Sequence, residues 1–340
     1  MISSTINNLV VNLKPREREV INSRFGLVKK QRETLADLGE RYGITRERVR
    51  QIEAEALRRM REEIGREKLT ELGEHVSRHL TKFGGARKED LFVQDLRAAL
   101  KDQDLHFWHL RFLEATQDKP LYYFGDEDLH SFWYLDEETV KLVRKFIAHL
   151  ERLIADKKED LIERKKFNDY LAQAARTHDI SEPIGLNYVL ISRKFKANPY
   201  GDMGLSAWEE IDPRTMGSKA YMVLKKQSKP LHFREVAEAI NKAKFDEKKA
   251  LPQTIHNELI KDNRFVLVGR GMYGLREQGY FPGTAREVIS QLLKREGPMT
   301  AEQVLKAVSK QRLLERNTIL LNLQNKKFFK RLADGRYAVK

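Results

Sequence analysis

The stretch "GITRERVRQIEAEALRRMR", Gly43 to Arg61, decides how this chain is read. A glycine and an apolar residue precede Thr45, a good N-cap, and a helical run follows. At 100° per residue, Val49, Ile52, Ala56 and Met60 fall on one face and point to a core. Arg46, Arg50 and Ala54 form a row on the opposite side, flanked by Glu47, Gln51 and Arg58. Such a helix is either a solvated surface helix or one built to lie in a nucleic-acid groove.

The preceding residues favour the groove. In "KPREREVINSRFGL" Pro15 suits a first helical turn, Val20, Ile21 and Phe25 can share a face, and Gly26 can end the helix. In "RETLADLGERYGIT" Thr34 caps a second helix, with Asp37 three positions on. Leu35, Leu38 and Tyr42 make its apolar stripe, Gly43 breaks it, and Ile44 plugs the turn. Two short helices joined by a tight glycine turn form the helix-turn-helix pattern. Arg46, Glu47 and Arg48 then occupy the first turn of the second helix, the part that meets base edges. Arg can fork onto guanine, Gln can pair with adenine, and Glu can accept from the cytosine amino group. Neighbouring arginines can grip phosphates instead.

These residues carry a resemblance. "LKPREREVINSRFGL" followed by "TLADLGERYGITRERVRQIEAEALRRMR", about residues 13 to 62, resembles region 4 of the primary bacterial sigma factors, which reads the −35 promoter element. The resemblance implies that Arg46, Glu47, Arg48, Arg50 and Gln51 are DNA-reading side chains, and makes the β flap of the RNA polymerase core a partner. Two departures stand out. Lys14 occupies the position where sigma factors carry a Thr or Ser cap, a change expected to weaken that helix end by about 1 kcal/mol. About a dozen residues precede the motif, so the sigma region that melts the −10 element is expected to be missing, and a regulator rather than a complete initiating factor is expected.

Bulk composition agrees with a polyanionic partner. Among 340 residues, 64 Lys and Arg face 50 Asp and Glu, a net of +14. An apolar content of 41% can build substantial cores, and the length suggests more than one domain. No run approaches the ~20 apolar residues of a membrane span, and the N-terminus does not read as a signal peptide. The absence of cysteine excludes disulfides, thiolate metal sites and thiol catalysis, and fits a cytoplasmic, nucleoid-associated protein.

The remaining chain repeats a terminal pattern. Phe195, Gly201, Met203 and Leu205 match Phe265, Gly271, Tyr273 and Leu275, and these match Phe329, Gly335, Tyr337 and Val339. Alternation on both sides of a glycine is a hairpin signal, and a helical pattern precedes each copy, "LNYVLISR", "TIHNELIKD" and "NTILLNLQNKK". The shared aromatics are expected in cores. A looser copy ends at "KPLYYFGDEDLHSFWYLDEE", residues 119 to 138. The expected fold is mainly α with small β-hairpin wings: an N-terminal helix-turn-helix (1–70) followed by an array of three or four winged-helix modules (71–150, 151–215, 216–279 and 280–340). "ERLIADKKEDLIERKK", 151 to 166, is expected to be a charged helix, and the helix beginning at Thr45 is expected to continue towards Lys68.

Within the third unit, "KPLHFREVAEAINKAKF" and "TIHNELIKDNRFVLVGRGMYGLRE" resemble the HARE-HTH domain, found in the δ subunit of some bacterial RNA polymerases, in chromatin proteins and beside restriction and modification enzymes. The resemblance implies a winged helix that contacts DNA or protein. Charge separates the modules. Residues 280–340 hold 13 basic against 5 acidic side chains, residues 1–70 hold 16 against 11, and residues 136–215 hold 14 against 15. The two ends are therefore the expected DNA contacts, and the middle modules are expected to be spacers or protein-docking units. In "NKKFFKRLADGR", Lys326, Lys327, Lys330 and Arg331 form a candidate phosphate-binding wing.

No catalytic constellation emerges. His75 and His79 stand at i, i+4 without a third ligand and are expected to be exposed surface histidines. "GRGMYG" lacks the Lys-Ser or Lys-Thr of a phosphate loop and does not open a helix. No nucleophile elbow or nuclease-like carboxylate cluster is present, so neither enzyme activity, cofactor, metal nor small-molecule substrate is expected. The expected function is sequence-specific binding of double-stranded DNA, with a polymerase adapter or an accessory subunit of a restriction or repair system as alternatives.

Overall fold

The computed structural model describes residues 1–28, 31–312 and 314–340. The chain forms two compact units, Met1–Lys196 with Met203–Ser206, and Ala197–Asp202 with Ala207–Lys340. It is mostly helical, with small antiparallel strand sets. No helix among the described residues is long and apolar enough to cross a membrane.

The first unit begins with α1 (Ile2–Val10), α2 (Pro15–Arg24), α3 (Leu35–Tyr42) and α4 (Arg46–Arg59). At the start of α2 the missing Thr or Ser cap is compensated. Glu17 Oε2 accepts the Lys14 N–H at 3.1 Å and pairs with Arg59 of α4 at 2.7 Å. The Thr34 hydroxyl accepts from the Asp37 amide and the Asp37 carboxylate accepts from the Thr34 amide, the reciprocal pair expected of a capping box. Gly43 ends α3 at φ +64°, a left-handed conformation that side chains disfavour. Thr45 Oγ1 accepts the Arg48 N–H at 3.1 Å and starts α4. Val20, Leu38 and Val49 close the core of these helices, with Leu35, Tyr42, Ile44 and Ile52 around them.

The recognition-type helix does not run on to Lys68. It widens into a π turn over Met60–Ile64, breaks at Gly65, and resumes as α5 (Arg66–Thr81). Next come β1 (Ala86–Lys88), α6 (Glu89–Leu100), α7 (Phe107–Thr116), β2 (Leu121–Tyr123) and β3 (Phe132–Tyr134). The sheet has three strands, ordered β1–β3–β2, where the sequence suggested only a hairpin. Its core is continuous with the helices before it. Phe92, Leu110, Phe112 and Trp133 join Ile2, Ile6, Ile21, Ala56 and Met60 in one cluster. Phe25 meets Phe112 edge-on with centroids 5.4 Å apart.

Asp102, 1% exposed, fastens α1 to this core by accepting from the Ser3 amide at 2.9 Å and the Ser3 hydroxyl at 2.5 Å. Burial opposes its ionisation, but the Ser3 donors outweigh burial and hold its pKa below the ordinary value. The depressed folded pKa means that its stabilisation is complete above the unfolded value, about 3.9, and is lost as pH falls through the folded one. Asp102→Ala is expected to cost about 1–3 kcal/mol near pH 7, because the buried Ser3 donors lose their acceptor. The difference from wild type should shrink below about pH 4, measured by urea unfolding across pH.

The first unit continues with α8 (Glu137–Ile154), α9 (Lys158–Ile162), α10 (Phe167–Thr177), α11 (Glu182–Ile191), β4 (Phe195–Ala197) and β5 (Met203–Leu205). The segment 151–166 is thus not one charged helix. α8 ends at Ile154 and α9 is a separate short turn, because Ile154, Leu161 and Ile162 are pulled into the core. The module ends expected at 70 and 150 fall inside α5 and α8, and α8 packs on α10 and α11.

The second unit holds α12 (Met216–Gln227), β6 (Leu231–His232), α13 (Phe233–Ala243), α14 (Pro252–Lys261), β7 (Phe265–Gly269) and β8 (Met272–Leu275), with strand order β6–β8–β7. It also holds α15 (Ala285–Glu296), α16 (Ala301–Gln311), α17 (Arg316–Leu323), β9 (Phe329–Arg331) and β10 (Tyr337–Val339). Phe195, Phe265 and Phe329 are buried, as is Tyr273, in keeping with core roles, while Tyr337 is half-buried.

Candidate nucleic-acid interface

α4 displays two chemically distinct faces. Val49, Ala56 and Met60 are fully buried and Ile52 half-buried, while Arg46, Glu47, Arg48, Arg50, Gln51 and Arg58 are all exposed. The outward residues are partly pre-arranged. Arg50 forks onto Glu47 through Nε at 2.8 Å and Nη2 at 2.6 Å, and Arg48 Nη1 donates to Gln51 Oε1 at 3.1 Å. The Arg50 hydrogen bonds lower the pKa of Glu47 and raise that of Arg50, so both stay charged at neutral pH. Arg46 makes no hydrogen bond or ion pair with a described residue. Exposed pairs contribute about 0–1 kcal/mol, so a base or phosphate can displace them.

Arg58 stands apart from this set. It pairs with Glu55 at 2.8 Å, Glu62 at 2.7 Å and Glu63 at 3.3 Å, which raises its pKa and surrounds it with negative charge. An approaching phosphate meets three carboxylates there, which disfavours Arg58 as an anion contact.

The structure adds two basic side chains that sequence reasoning passed over. A concave strip of about 320 Å³ brings Lys14 and Arg16 of the α2 start beside Arg48 and Gln51. The signal was in "KPRE", read there only as a helix start. Arg16 also lies over the Tyr42 ring at 3.7 Å. Behind the reading face, Arg24 bonds Glu53 of α4 at 3.1 Å and the Glu33 carbonyl at 2.9 Å, fixing α4 on α2.

The third helices of the two middle segments have a different fate. Every residue of α7 is buried or half-buried, and α7 packs on α1, α4 and α5. α11 is docked on the segment before it. Asn187 Nδ2 donates to the Phe83 and Ala86 carbonyls at 2.8 and 2.7 Å, and the Tyr188 hydroxyl donates to the Gly84 carbonyl at 2.6 Å. Neither helix offers a long polar face to a groove.

At the C-terminus Lys326, Lys327, Lys330 and Arg331 are exposed. Lys326, Lys330 and Arg331 line a cavity of about 630 Å³ together with Lys340, against Phe329 and Tyr337. Lys327 is not part of that lining, and its Nζ lies 5.8 Å from the Phe328 ring centroid. His75 is exposed, but His79 is half-buried against Phe83 and Phe92, and burial lowers its pKa.

A capped two-helix element with an exposed arginine-rich second helix invites comparison with known proteins. Residues 9–62 match the family model of sigma-70, region 4. Residues 214–278 match that of HARE-HTH, the ASXL and restriction endonuclease HTH domain. The region 4 segment is 43% identical over 61 residues to RNA polymerase sigma factor SigA of Microcystis aeruginosa, covering 18% of this chain and 15% of that protein. Equal identity over 61 residues relates it to SigA of Synechocystis sp. (14% of that protein) and of Clostridium acetobutylicum (16%), again with 18% of this chain. The chain thus spans only a small part of the relatives it matches. These matches mark it as carrying DNA-binding domains of types tied to transcription.

Proposed function

We propose that this protein is a sequence-specific DNA-binding regulator of transcription in which α4 reads a −35-like element in the major groove. The observation that carries this is the outward row of Arg46, Glu47, Arg50 and Gln51, mounted on a helix whose inward face is fully buried. Glu47 and Arg50 supply complementary readers for cytosine and guanine. Lys14, Arg16 and Arg48 hold the flanking phosphates. The test is selection of bound sequences from random duplexes. A recovered consensus supports base reading, and recovery of none overturns it.

The chain is organised as helix-turn-helix plus winged-helix modules, with α5–β3 and α8–β5 serving as a mount for α4. The last module is a second, sequence-independent grip. Replacing Lys326, Lys330 and Arg331 together by Ala is expected to weaken binding equally to all sequences. The slope of log K against log salt should fall by up to about 3, from ~0.9 per lost phosphate contact. An unchanged slope would remove this module from the interface.

The β flap of the RNA polymerase core is the proposed protein partner, and the cytoplasmic nucleoid the proposed location. A second reading, a polymerase adapter or an accessory subunit of a restriction or repair system, is favoured by exposed apolar side chains around α14. Leu251 is 55% exposed, Ile260 65% and Leu267 47%. Retention of polymerase at high salt, where phosphate-driven contacts fade, would support the adapter.

A further inference from the structure

Arg312, which ends α16, is only 9% exposed, although most arginines keep their charge in water. Its Nη1 donates to the Leu267 carbonyl of β7, and its Nη2 donates to the carbonyls of Gly283 and Phe281, the latter at 3.4 Å. Nε has no hydrogen-bond partner among the described residues. Neutral carbonyls satisfy N–H groups but do not neutralise a cation. Glu287, which acts on Arg312 through space, has its carboxylate engaged by the Thr284 amide.

The cavity beside this guanidinium, about 840 Å³, lies between the β7–β8 turn and the first turn of α17. Arg270, Arg312, Gly269 and Thr318 share its wall. Arg270 sits at the tip of the turn, is exposed, and makes no hydrogen bond or ion pair with a described residue. Gly271, at φ +66°, lets this turn close: a Cβ there would lie 2.6 Å from His232 Nε2. α17 starts at Glu315 with no side-chain cap, so its first amides point outward without partners from the helix. The exposed Glu315 carboxylate, on the same wall, is the one lining group that opposes an anion.

We propose that this cavity binds a phosphate group, held by the Arg312 and Arg270 side chains, the first-turn N–H groups of α17 and the Thr318 hydroxyl. Paired guanidinium groups beside a helix N-terminus suit a tetrahedral oxyanion. The phosphate is either a backbone diester of bound DNA or a free phosphorylated molecule, and the site does not depend on base reading by α4.

The test uses the full chain, with Arg270→Ala and Thr318→Val as exposed, well-tolerated variants. Two measurements are made: the shift in Tm with inorganic phosphate at constant ionic strength, and the salt dependence of binding to a random-sequence duplex. A DNA-backbone source predicts a salt slope lowered by about one in Arg270→Ala, with the selected consensus unchanged. A free-ligand source predicts that phosphate raises the wild-type Tm but not that of either variant, with the DNA slope unchanged. Equal phosphate response and equal slope in wild type and both variants overturn the proposal. Arg50→Ala alters the consensus in any of these cases, so failure of base reading at α4 would be seen separately.

Discussion

Arg50→Ala is expected to lower affinity for the preferred duplex roughly 5- to 150-fold, the equivalent of about 1–3 kcal/mol for one good base contact. Its affinity for random duplexes should fall far less, so the consensus recovered by selection degrades at one position. The structure sharpens this expectation. Arg50 leaves a fork on Glu47 to reach a base, and that exposed pair is worth only about 0–1 kcal/mol. Glu47→Ala should therefore leave binding strength within a few-fold and change base preference at the cytosine it would accept from. Competition binding with single-base variants of the consensus measures both. An identical consensus for wild type and Arg50→Ala would end the base-reading proposal. Arg58→Ala is the internal contrast: ringed by three glutamates, it should change the consensus little.

Phe112→Ala is expected to produce the largest loss of stability in the first unit, about 3–5 kcal/mol. Phe112 is fully buried in α7 and lies edge-on to Phe25, just beyond α2, so truncation opens the seam between the helix-turn-helix and the sheet-bearing segment. Phe25→Ala should behave similarly, and the double variant should lose less than the sum, by about 0.5–1.5 kcal/mol for an aromatic pair. Urea unfolding followed by tryptophan fluorescence reads this, since Trp108 and Trp133 lie in the same segment. A loss below about 1 kcal/mol would mean that the segments fold independently, against the single core they share. The consensus bound by the variant should be unchanged, because no outward residue of α4 is touched.

Much of the α2–α4 element was legible because its signals are local. Thr34 with Asp37, Gly43 and Thr45 act within four residues of where they stand, and the structure uses each in that way. α1 escaped notice although Ile2, Ile6, Leu9 and Val10 carry a helical period, and all four are buried. The strands β1 and β6 were illegible for a different reason. They are two or three residues long and exist only through partners far along the chain, Ala86 opposite Tyr134 and Leu231 opposite Tyr273. The run 151–166 misled because its charges outnumber its apolar residues, yet Ile154, Leu161 and Ile162 decide where its helices stop. Lys14 lacked a capping oxygen, and Glu17 supplied one from the next turn.

The amino-acid order by itself determined the caps and breaks around α4, its two-faced character, and the basic balance of the chain's ends. These depend on backbone conformation, helical period and counted charge, all local quantities. Only the tertiary structure decided which helices remain free to meet DNA. α7 and α11 carry helical patterns as clear as that of α4, but their exposed faces are covered by neighbouring segments, whereas the outer face of α4 is covered by nothing among the described residues. Periodicity marks a face, while the partner that buries it is chosen by contacts tens of residues away. The same distinction separates Arg312 from the basic residues around it: equal in charge along the chain, it alone is drawn inside the last module, beside a cavity whose other walls come from a different hairpin.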